Sequence, residues 1–244
     1  MKNIENNEFK KAGVNREYGS SRLQKQVFSI GHLIIVLFLI WLVFLNGLPI
    51  LGKIIGKSLY FSDVRRARIL VYIAILYWVR HYITLFHLLK RKIEWGEVFG
   101  LLFFIAFFEI LFVFIGGSVF KYSYSPLGML DLFALILLLM GSYLNTWSEF
   151  QRKWWKQDSN NKGHCYTGGL FKHSVHINYF GDTVLFTGWA LFTHSFWALL
   201  LPVLMGYSFV IFHIPGLDLY LKKRYGDEFI EYSKKTKKLI PWIY

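Results

Sequence analysis

Two long runs without charge constrain the fold of this chain more than any other feature. Residues 28–51 contain no Asp, Glu, Lys or Arg, and residues 98–120 contain a single one, Glu109. A helix needs about 20 consecutive apolar residues to cross the hydrocarbon core of a bilayer. Since 55% of the residues are hydrophobic and 18% are charged, the composition excludes a soluble enzyme, a fibrous protein and a disordered chain. The sequence therefore predicts an all-α, polytopic membrane helix bundle.

The apolar runs predict about six transmembrane helices. Four are expected at about 28–51, 69–89, 98–120 and 127–148. The remaining two form a tight helical hairpin between 183 and 214, whose first arm begins before residue 183. Gly181 and Asp182 precede this hairpin, and Pro202 lies within it.

The positions of the basic residues predict the orientation of the chain in the membrane. With six spans, 21 of the 28 Lys and Arg residues lie on the same side as the N-terminus and six lie on the other side. Because Lys and Arg are enriched in cytosolic loops, both termini are expected in the cytosol. This topology accounts for the net charge of +13, so no nucleic-acid partner is expected. The membrane is a bacterial inner membrane or the endoplasmic reticulum, and the oligomeric state stays open.

Polarity divides the chain into three parts. We predict a polar cytosolic tail at 1–27, a four-span membrane region at 28–148, and a C-terminal region at 149–244 with a polar loop, the hairpin and a basic tail. The single cysteine, Cys165, excludes an internal disulfide. Three histidines lie near it in sequence, but no helical pair of ligands is evident, so no metal site is expected. These histidines are His164, His173 and His176.

Ionisable side chains inside the predicted spans are the first candidates for function, because such groups are costly at bilayer depth and usually face the protein interior. In the second span, Tyr77, Arg80, His81 and Thr84 fall at spacings of three and four, which places them on one helical stripe. The third span contains Glu109. Two interpretations stay open for Glu109: it pairs with Arg80 to neutralise a buried charge, or it donates a proton to, or orients, a substrate.

A second group of polar residues follows the fourth span. Asn145 and Glu149 lie four residues apart, and Arg152 and Lys156 come next. The loop at 166–182 contains a second amide, Asn178, and a second carboxylate, Asp182. It also contains two flat rings, Tyr179 and Phe180, and a glycine pair, Gly168 and Gly169, that permits a close backbone turn. Amides, carboxylates, rings and cations together suit a nucleotide, with the base and ribose on the first groups and the phosphates on the cations. The alternative is a helix-capping loop with a solvated basic face.

Four short motifs in the last hundred residues resemble the C-terminal domain family of the steroid 5-alpha-reductases. They are Gly-Gly-Leu-Phe at 168–171, His-Ile-Asn-Tyr-Phe-Gly-Asp at 176–182, Gly-Trp-Ala-Leu at 188–191 and Leu-Ile-Pro-Trp-Ile-Tyr at 239–244. That family is related to the sterol C14- and C7-reductases and, more distantly, to isoprenylcysteine carboxyl methyltransferase. The resemblance covers about two fifths of the chain, and weaker matches extend upstream.

The resemblance implies an NADPH (NADP) cofactor and names residues for it. Asn145 and Glu149 resemble a cofactor-contacting Asn-x-x-x-Asp, Asn178 and Asp182 resemble an Asn and a Glu on the cofactor, and Lys156 falls at a phosphate-side arginine. The expected cofactor-binding residues are Asn145, Glu149, Arg152, Lys156, His176, Asn178, Tyr179, Asp182 and Tyr220.

The expected catalytic residues are Tyr77, Arg80 and Glu109. Tyr77-x-x-Arg80 resembles the motif whose tyrosine protonates or polarises the substrate carbonyl. The catalytic glutamate that the reductases carry on the preceding span has no counterpart in residues 28–51, and Glu109 is the candidate substitute.

Three functions from different classes are compatible with the sequence. The first is an integral-membrane, NADPH-dependent oxidoreductase that reduces a carbon–carbon double bond in an apolar lipid of steroid, sterol or isoprenoid type. The second is an S-adenosylmethionine-dependent methyltransferase acting on a lipid or a prenylated thiol, with Asp218 as a candidate acid. The third is a membrane scaffold without activity.

Overall fold

The computed structural model of the chain describes residues 19–120 and 124–244. Its α-helices are α1 (Arg22–Phe44), α2 (Gly47–Ile54), α3 (Val64–Ile83), α4 (Trp95–Gly116), α5 (Met129–Trp155), α6 (Ile177–Phe192), α7 (Leu200–Ser208), α8 (Ile214–Tyr225) and α9 (Asp227–Lys235). No β-strand occurs in the two described ranges. The predicted all-α membrane bundle is thus confirmed. Residues 1–18 of the predicted polar tail lie outside the described residues, and α1 begins at Arg22, within the rest of that tail.

Five helical segments of the described residues are long and apolar enough to cross a membrane. They are Arg22–Phe44, Val64–Leu88, Trp95–Gly116, Met129–Trp155 and Phe196–Tyr225. The predicted span that is missing from this set is the first arm of the hairpin, α6, which has 16 residues. At a rise of about 1.5 Å per residue it is about 24 Å long, which is shorter than the hydrocarbon core of about 30 Å. The count by length is therefore five, against the six that the sequence predicts.

The first predicted span is interrupted. Residues 28–51 were expected to be one helix, but α1 ends at Phe44 and Asn46 takes the left-handed conformation, with φ of 59°, before the short α2 begins. Asparagine tolerates this conformation better than most residues do. Asp63 then caps α3, because its carboxylate accepts a hydrogen bond from the Arg66 backbone nitrogen at 3.0 Å.

The predicted helical hairpin is present, with its turn at residues 193–195, where His194 has φ of 56°. Its first arm is α6, which begins at Ile177 and so starts before residue 183. The second arm runs from Phe196 to Tyr225 through a wider π-type turn at Phe209–His213. Pro202 lies in the first turn of α7, where a proline ring does not disturb the hydrogen bonds of the helix.

The described residues divide into two compact units. The N-terminal unit contains residues 19–135 and Gly188–Leu199, and the C-terminal unit contains Ile136–Thr187 and Leu200–Tyr244. In the N-terminal unit, α1, α3 and α4 pack against one another. The outer face of α4 is apolar as well, with Phe103 and Phe107 exposed by 74% and 59%. In a chain with this many long apolar helices, such a face is expected to contact lipid.

Candidate functional site

A close crossing of α5 and α6 in the C-terminal unit brings together the polar residues predicted to bind a cofactor. A Cβ on Gly141 would lie 2.5 Å from the Gly181 carbonyl oxygen, and a Cβ on Gly181 would lie 2.6 Å from the Asn145 backbone nitrogen. Such a close approach of two backbones requires glycine. The crossing therefore sets Asn145, one turn after Gly141, against the first turn of α6.

Four of the predicted residues are joined there by hydrogen bonds. We call this group the amide–carboxylate network: Asn145, Glu149, Asn178 and Asp182. The Asn145 side-chain Nδ2 donates to the Asn178 carbonyl oxygen at 3.0 Å and to Asp182 Oδ2 at 2.9 Å. Asn178 Nδ2 donates to Glu149 Oε1 at 3.1 Å. Asn145 is buried and the other three are half-buried, so the network lies at the edge of the protein interior.

The two predicted phosphate-binding cations lie beside this network, on the last turns of α5. Arg152 forms an ion pair with Glu149, and its guanidinium carbon lies 5.3 Å from the centre of the Phe171 ring. Lys156 Nζ donates a hydrogen bond to the Tyr225 hydroxyl at 3.0 Å. Lys156 is exposed, so it keeps the capacity to contact a solvent-borne anion.

His176 and Tyr179 occupy the start of α6. His176 is buried, and its Nε2 lies 2.8 Å from Asp218 Oδ1. The Tyr179 ring stacks on the His176 ring, with centres 5.7 Å apart, and on the Phe209 ring, with centres 4.6 Å apart and planes within 9°. Asp218 thus orients a histidine that the sequence resemblance assigns to the cofactor.

Residues of the second arm of the hairpin and of the C-terminal segment also contact the start of α6 and the loop before it. Asp218 Oδ2 lies 3.2 Å from Lys238 Nζ. Tyr220, the last predicted cofactor residue, accepts a hydrogen bond from Arg224 at 2.6 Å. The Val175 backbone nitrogen donates to the Lys237 carbonyl oxygen at 2.8 Å. The segment after α9 is therefore tied to the loop that leads into α6.

The packing of the loop requires glycine at position 169. Gly169 has φ of 55°, and a Cβ there would collide with the Gln151 amide oxygen and lie 2.6 Å from the Tyr166 hydroxyl. The same Gln151 oxygen accepts a hydrogen bond from the Leu170 backbone nitrogen at 3.0 Å. The loop is thereby fixed to α5, next to the amide–carboxylate network.

The predicted catalytic glutamate is buried in the N-terminal unit. Glu109 Oε1 on α4 lies 3.0 Å from His32 Nε2 on α1, and both side chains are fully buried. His32 Nδ1 in turn lies 3.1 Å from His81 Nδ1 on α3. The sequence offered Arg80 as the partner of Glu109, and the structure corrects this, since the described partner is His32. We call Glu109, His32 and His81 the histidine–glutamate chain.

Tyr77 packs directly against this chain. Its ring centre lies 4.2 Å from that of His81 and 5.3 Å from that of Trp189. The Arg80 guanidinium carbon lies 5.4 Å from the Tyr77 ring centre. The three predicted catalytic residues, Tyr77, Arg80 and Glu109, thus belong to one cluster on three helices, with the two histidines between them.

A second buried ionic group lies at the other end of α3. The Arg66 guanidinium, 1% exposed, forms an ion pair with Asp131, and its Nε lies 3.4 Å from Asp63 Oδ2. It also donates to the carbonyl oxygens of Phe192 at 2.9 Å and Ser125 at 3.0 Å. Through these contacts Arg66 joins the starts of α3 and α5 to the end of α6.

A protein-family profile matches residues 23–236, which is most of the chain. The chain belongs to the DUF1295 family. The family's description is "protein of unknown function". The matched range includes all twelve predicted site residues, from Tyr77 to Tyr220. No curated protein matches the chain.

The residues of the C-terminal unit of this DUF1295 chain fit a nucleotide by their chemistry. The amide–carboxylate network offers acceptors for ribose hydroxyls, and Arg152 and Lys156 offer positive charge for phosphates. Next to Asn145, the Thr146 hydroxyl is buried without a hydrogen-bond partner in the protein. A buried polar atom is normally paired, so this hydroxyl has unused hydrogen-bonding capacity.

Burial controls the titration of two side chains under the loop. It raises the pKa of the Cys165 thiol to about 11, with the nearby Glu228 carboxylate as the second cause. Burial also raises the pKa of Tyr232, whose hydroxyl donates to the Phe171 carbonyl oxygen at 2.5 Å. Both groups therefore stay neutral at physiological pH and act in packing.

The histidines near Cys165 are used in other contacts. His164 Nδ1 lies 3.5 Å from Glu228 Oε2, and the His173 ring packs against Trp242 with centres 5.8 Å apart. Within residues 19–120 and 124–244, no group of three or more His, Cys, Asp or Glu side chains is placed to hold a metal ion.

Two important residues were missed at the sequence level. His32 lies inside the uncharged run 28–51 and was overlooked because a neutral histidine does not count as a charge. A search of the spans for histidine as well as for Asp, Glu, Lys and Arg would have found it. Arg66 had no such signal, since it was assigned to a loop and to the positive charge of that loop.

Proposed function

We propose that this DUF1295 protein is an integral-membrane, NADPH-dependent reductase of a carbon–carbon double bond in an apolar lipid. The observation that carries the proposal is the amide–carboxylate network. Asn145, Glu149, Asn178 and Asp182 were picked from the sequence by their resemblance to cofactor residues of the steroid 5-alpha-reductases. The hydrogen bonds between them join α5 residues to α6 residues that are 29 to 37 positions away in the sequence.

Each residue type in the C-terminal unit has a role in this proposal. The carboxylates of Glu149 and Asp182 accept hydrogen bonds from ribose hydroxyls, and the amides hold the carboxylates in place. Arg152 and Lys156 bind phosphate, and a second phosphate on the ribose makes NADPH a better ligand than NADH. The Tyr179 ring stacks on the rings of His176 and Phe209 and so positions the first turn of α6 beside the network. The bound nicotinamide supplies the hydride.

The N-terminal unit supplies the proton in this proposal. Reduction of a double bond needs a proton donor at the carbon that does not receive the hydride, and buried Tyr, His and Glu side chains are suitable general acids. Tyr77 polarises the acceptor, and Arg80 favours negative charge on it. The lipid-facing helices suit a substrate of steroid, sterol or isoprenoid type that enters from the bilayer.

Cofactor binding tests the proposal first. We would measure the thermal unfolding of detergent-purified protein with NADPH, NADH and S-adenosylmethionine in separate samples. A ligand at about 100 times its Kd stabilises the folded state by about 2.7 kcal/mol. We expect NADPH to raise Tm most, and we expect Asn178→Ala and Glu149→Ala to lose that rise.

The comparison needs a matched control because the network also supports the fold. Each variant is compared with its own ligand-free Tm. Asn160→Ala changes an exposed asparagine of the same unit and should keep the full NADPH response. No stabilisation by NADPH in the well-folded protein would contradict the proposal.

The methyltransferase alternative rests on one contact. Asp218, the candidate acid for that chemistry, lies against His176 of the loop. Stabilisation by S-adenosylmethionine alone would favour this alternative. No rise in Tm with any of the three ligands would favour the scaffold.

A further inference from the structure

The histidine–glutamate chain is a continuous line of hydrogen bonds across three helices. Glu109 Oε1 and His32 Nε2 are 3.0 Å apart, and His32 Nδ1 and His81 Nδ1 are 3.1 Å apart. Both ring nitrogens of His32 are therefore used, one toward the carboxyl group and one toward the second histidine. A neutral imidazole carries one N–H and one lone pair, so the proton on either nitrogen determines the direction of both bonds.

Two arrangements of protons satisfy this geometry. In the first, Glu109 is protonated and donates to His32 Nε2, His32 Nδ1–H donates to His81 Nδ1, and His81 Nε2 carries a proton. In the second, Glu109 is a carboxylate that accepts from His32 Nε2–H, His32 Nδ1 accepts from His81 Nδ1–H, and His81 Nε2 is bare. The first arrangement holds one more proton than the second, and the extra proton is available at His81 Nε2.

The two ends of the line differ in access. Glu109 and His32 are each 0% exposed, whereas His81 is half-buried. The His81 ring is held on one side by Tyr77 and on another by Phe28, with ring centres 4.2 Å and 5.4 Å away. A proton acceptor can therefore reach the line at His81 and at no earlier member.

We propose that Glu109, His32 and His81 form a proton relay whose accessible end, His81 Nε2, protonates the substrate. His81 is then the catalytic residue, and His32 and Glu109 are positioning residues that act through it. This inference rests on the proposed reductase function and names the residues that supply its proton. Tyr77 keeps the role of polarising the acceptor and fixes the plane of the His81 ring.

The step balances in atoms and charge. The substrate carbon left with an electron pair takes the proton of His81 Nε2–H. His81 Nδ1 then takes the proton of His32 Nδ1–H, and His32 Nε2 takes the proton of the Glu109 carboxyl group. Glu109 is left as a carboxylate, and one proton from solvent restores the first arrangement. None of the three relay residues has to carry a positive charge at this depth, which would be costly in the apolar surroundings.

The relay makes a prediction that needs neither cofactor nor substrate. The tautomers of His32 and His81 are opposite in each arrangement and exchange together when Glu109 loses its proton. We would label the histidines with 15N and follow their ring nitrogens by NMR from about pH 4 to about pH 10, which spans the reference pKa values of carboxyl and imidazole groups. Wild-type protein should show both tautomers changing with one common midpoint.

The variants separate a relay from a structural hydrogen bond. Glu109→Gln has no proton to lose and should fix both tautomers at every pH. His32→Gln breaks the line and should fix the tautomer of His81. His194, which contacts Asp131 in the same unit at 3.0 Å, is the internal control and should be unaffected by either variant.

Besides each other, the relay residues face two titratable or charged side chains in the part of the chain that the structure describes, Tyr77 and Arg80, both on α3. The α6 neighbour of Tyr77, Trp189, does not titrate in this range. Wild-type tautomers that stay fixed over the whole pH range would overturn the relay. A His81 tautomer that still changes in Glu109→Gln would also overturn it.

This experiment and the cofactor experiment fail separately, because one observes the ligand-free N-terminal unit and the other observes ligand binding. When turnover is measured, Glu109→Gln should lower kcat by about 10²- to 10⁴-fold, the range for loss of a general acid, with KM little changed. The solvent isotope effect on kcat should shrink in the same variant, and an unchanged isotope effect would overturn the relay.

Discussion

Arg66 lies almost fully buried at the start of α3, where its guanidinium contacts two carboxylates. Its neighbours are Asp63 and Asp131, each less than 5% exposed. Removing one partner of a buried ion pair leaves the other charge uncompensated and costs about 3–5 kcal/mol. We expect Arg66→Met to lower Tm by about 6 °C or more, measured by thermal unfolding in detergent.

Two further variants show whether charge is the cause. Arg66→Met combined with Asp131→Leu removes both charges and should recover part of the lost Tm. Arg65→Met removes an exposed neighbour and should change Tm by less than about 2 °C. A double variant less stable than Arg66→Met would contradict the charge explanation.

At the residue scale, the sequence was informative where the spacing of residues along one helix determines which side chains lie on the same face. The network residues Asn145 and Glu149 could be chosen because a spacing of four puts both on one helix face. The partner of Glu109 could not be chosen in this way. It depends on which of three helices presents a polar group at the same depth, and that is set by the packing of α1 against α4.

At the scale of helices, the crossing of α5 and α6 determines whether the network forms. A methyl group on Gly141 would meet the Leu185 backbone nitrogen and, at 2.5 Å, the Gly181 carbonyl oxygen. Backbone atoms cannot move aside as a side chain can. Overpacking of this kind costs about 1–3 kcal/mol, more than the gain of about 0.5–1 kcal/mol from alanine in a helix.

We therefore expect Gly141→Ala to lower Tm by several degrees and to weaken NADPH stabilisation, because the helices separate at the network. Gly206→Ala on α7 is the matched control. Its Cβ would lie 3.6 Å from Thr183, an ordinary contact, so Tm should stay equal or rise. An unchanged Tm in Gly141→Ala would show that the crossing is looser than described.

Helix positions followed from the apolar runs, whereas helix ends did not. The runs at 69–89, 98–120 and 127–148 each fall on one long helix. However, α5 continues to Trp155, seven residues past the predicted end, because helical geometry does not stop where hydrophobicity does. The interruption at Asn46 was missed because a single left-handed residue gives no periodic signal.

At the scale of the whole chain, the structure bears on the side of the membrane that each end occupies. The loop before α6 is hydrogen-bonded to the segment after α9, from Val175 to Lys237 at 2.8 Å and from His176 to Lys238 at 2.9 Å. Groups in direct contact lie on one side of a membrane. The hairpin of α6 and the 196–225 arm therefore leaves and returns to that side.

From this contact we expect that α6 also crosses the membrane. A polypeptide that returns to its starting side through the long Phe196–Tyr225 segment must also have crossed once before it. The 16 residues of α6 achieve this if the bilayer thins locally or polar flanks extend to the interface, at a modest cost per ångström of mismatch. With α1, α3, α4 and α5 before it, a crossing by α6 predicts that the chain ends on the side where it began.

We expect reporter fusions to place both termini in the cytosol, where 21 of the 28 Lys and Arg residues then lie. A fluorescent protein at either end should fluoresce in bacterial cells, and alkaline phosphatase at the C-terminus should be inactive. Phosphatase fused after Gly56, in the exposed connection between α2 and α3, is the control and should be active. Active phosphatase at the C-terminus would mean that α6 does not cross.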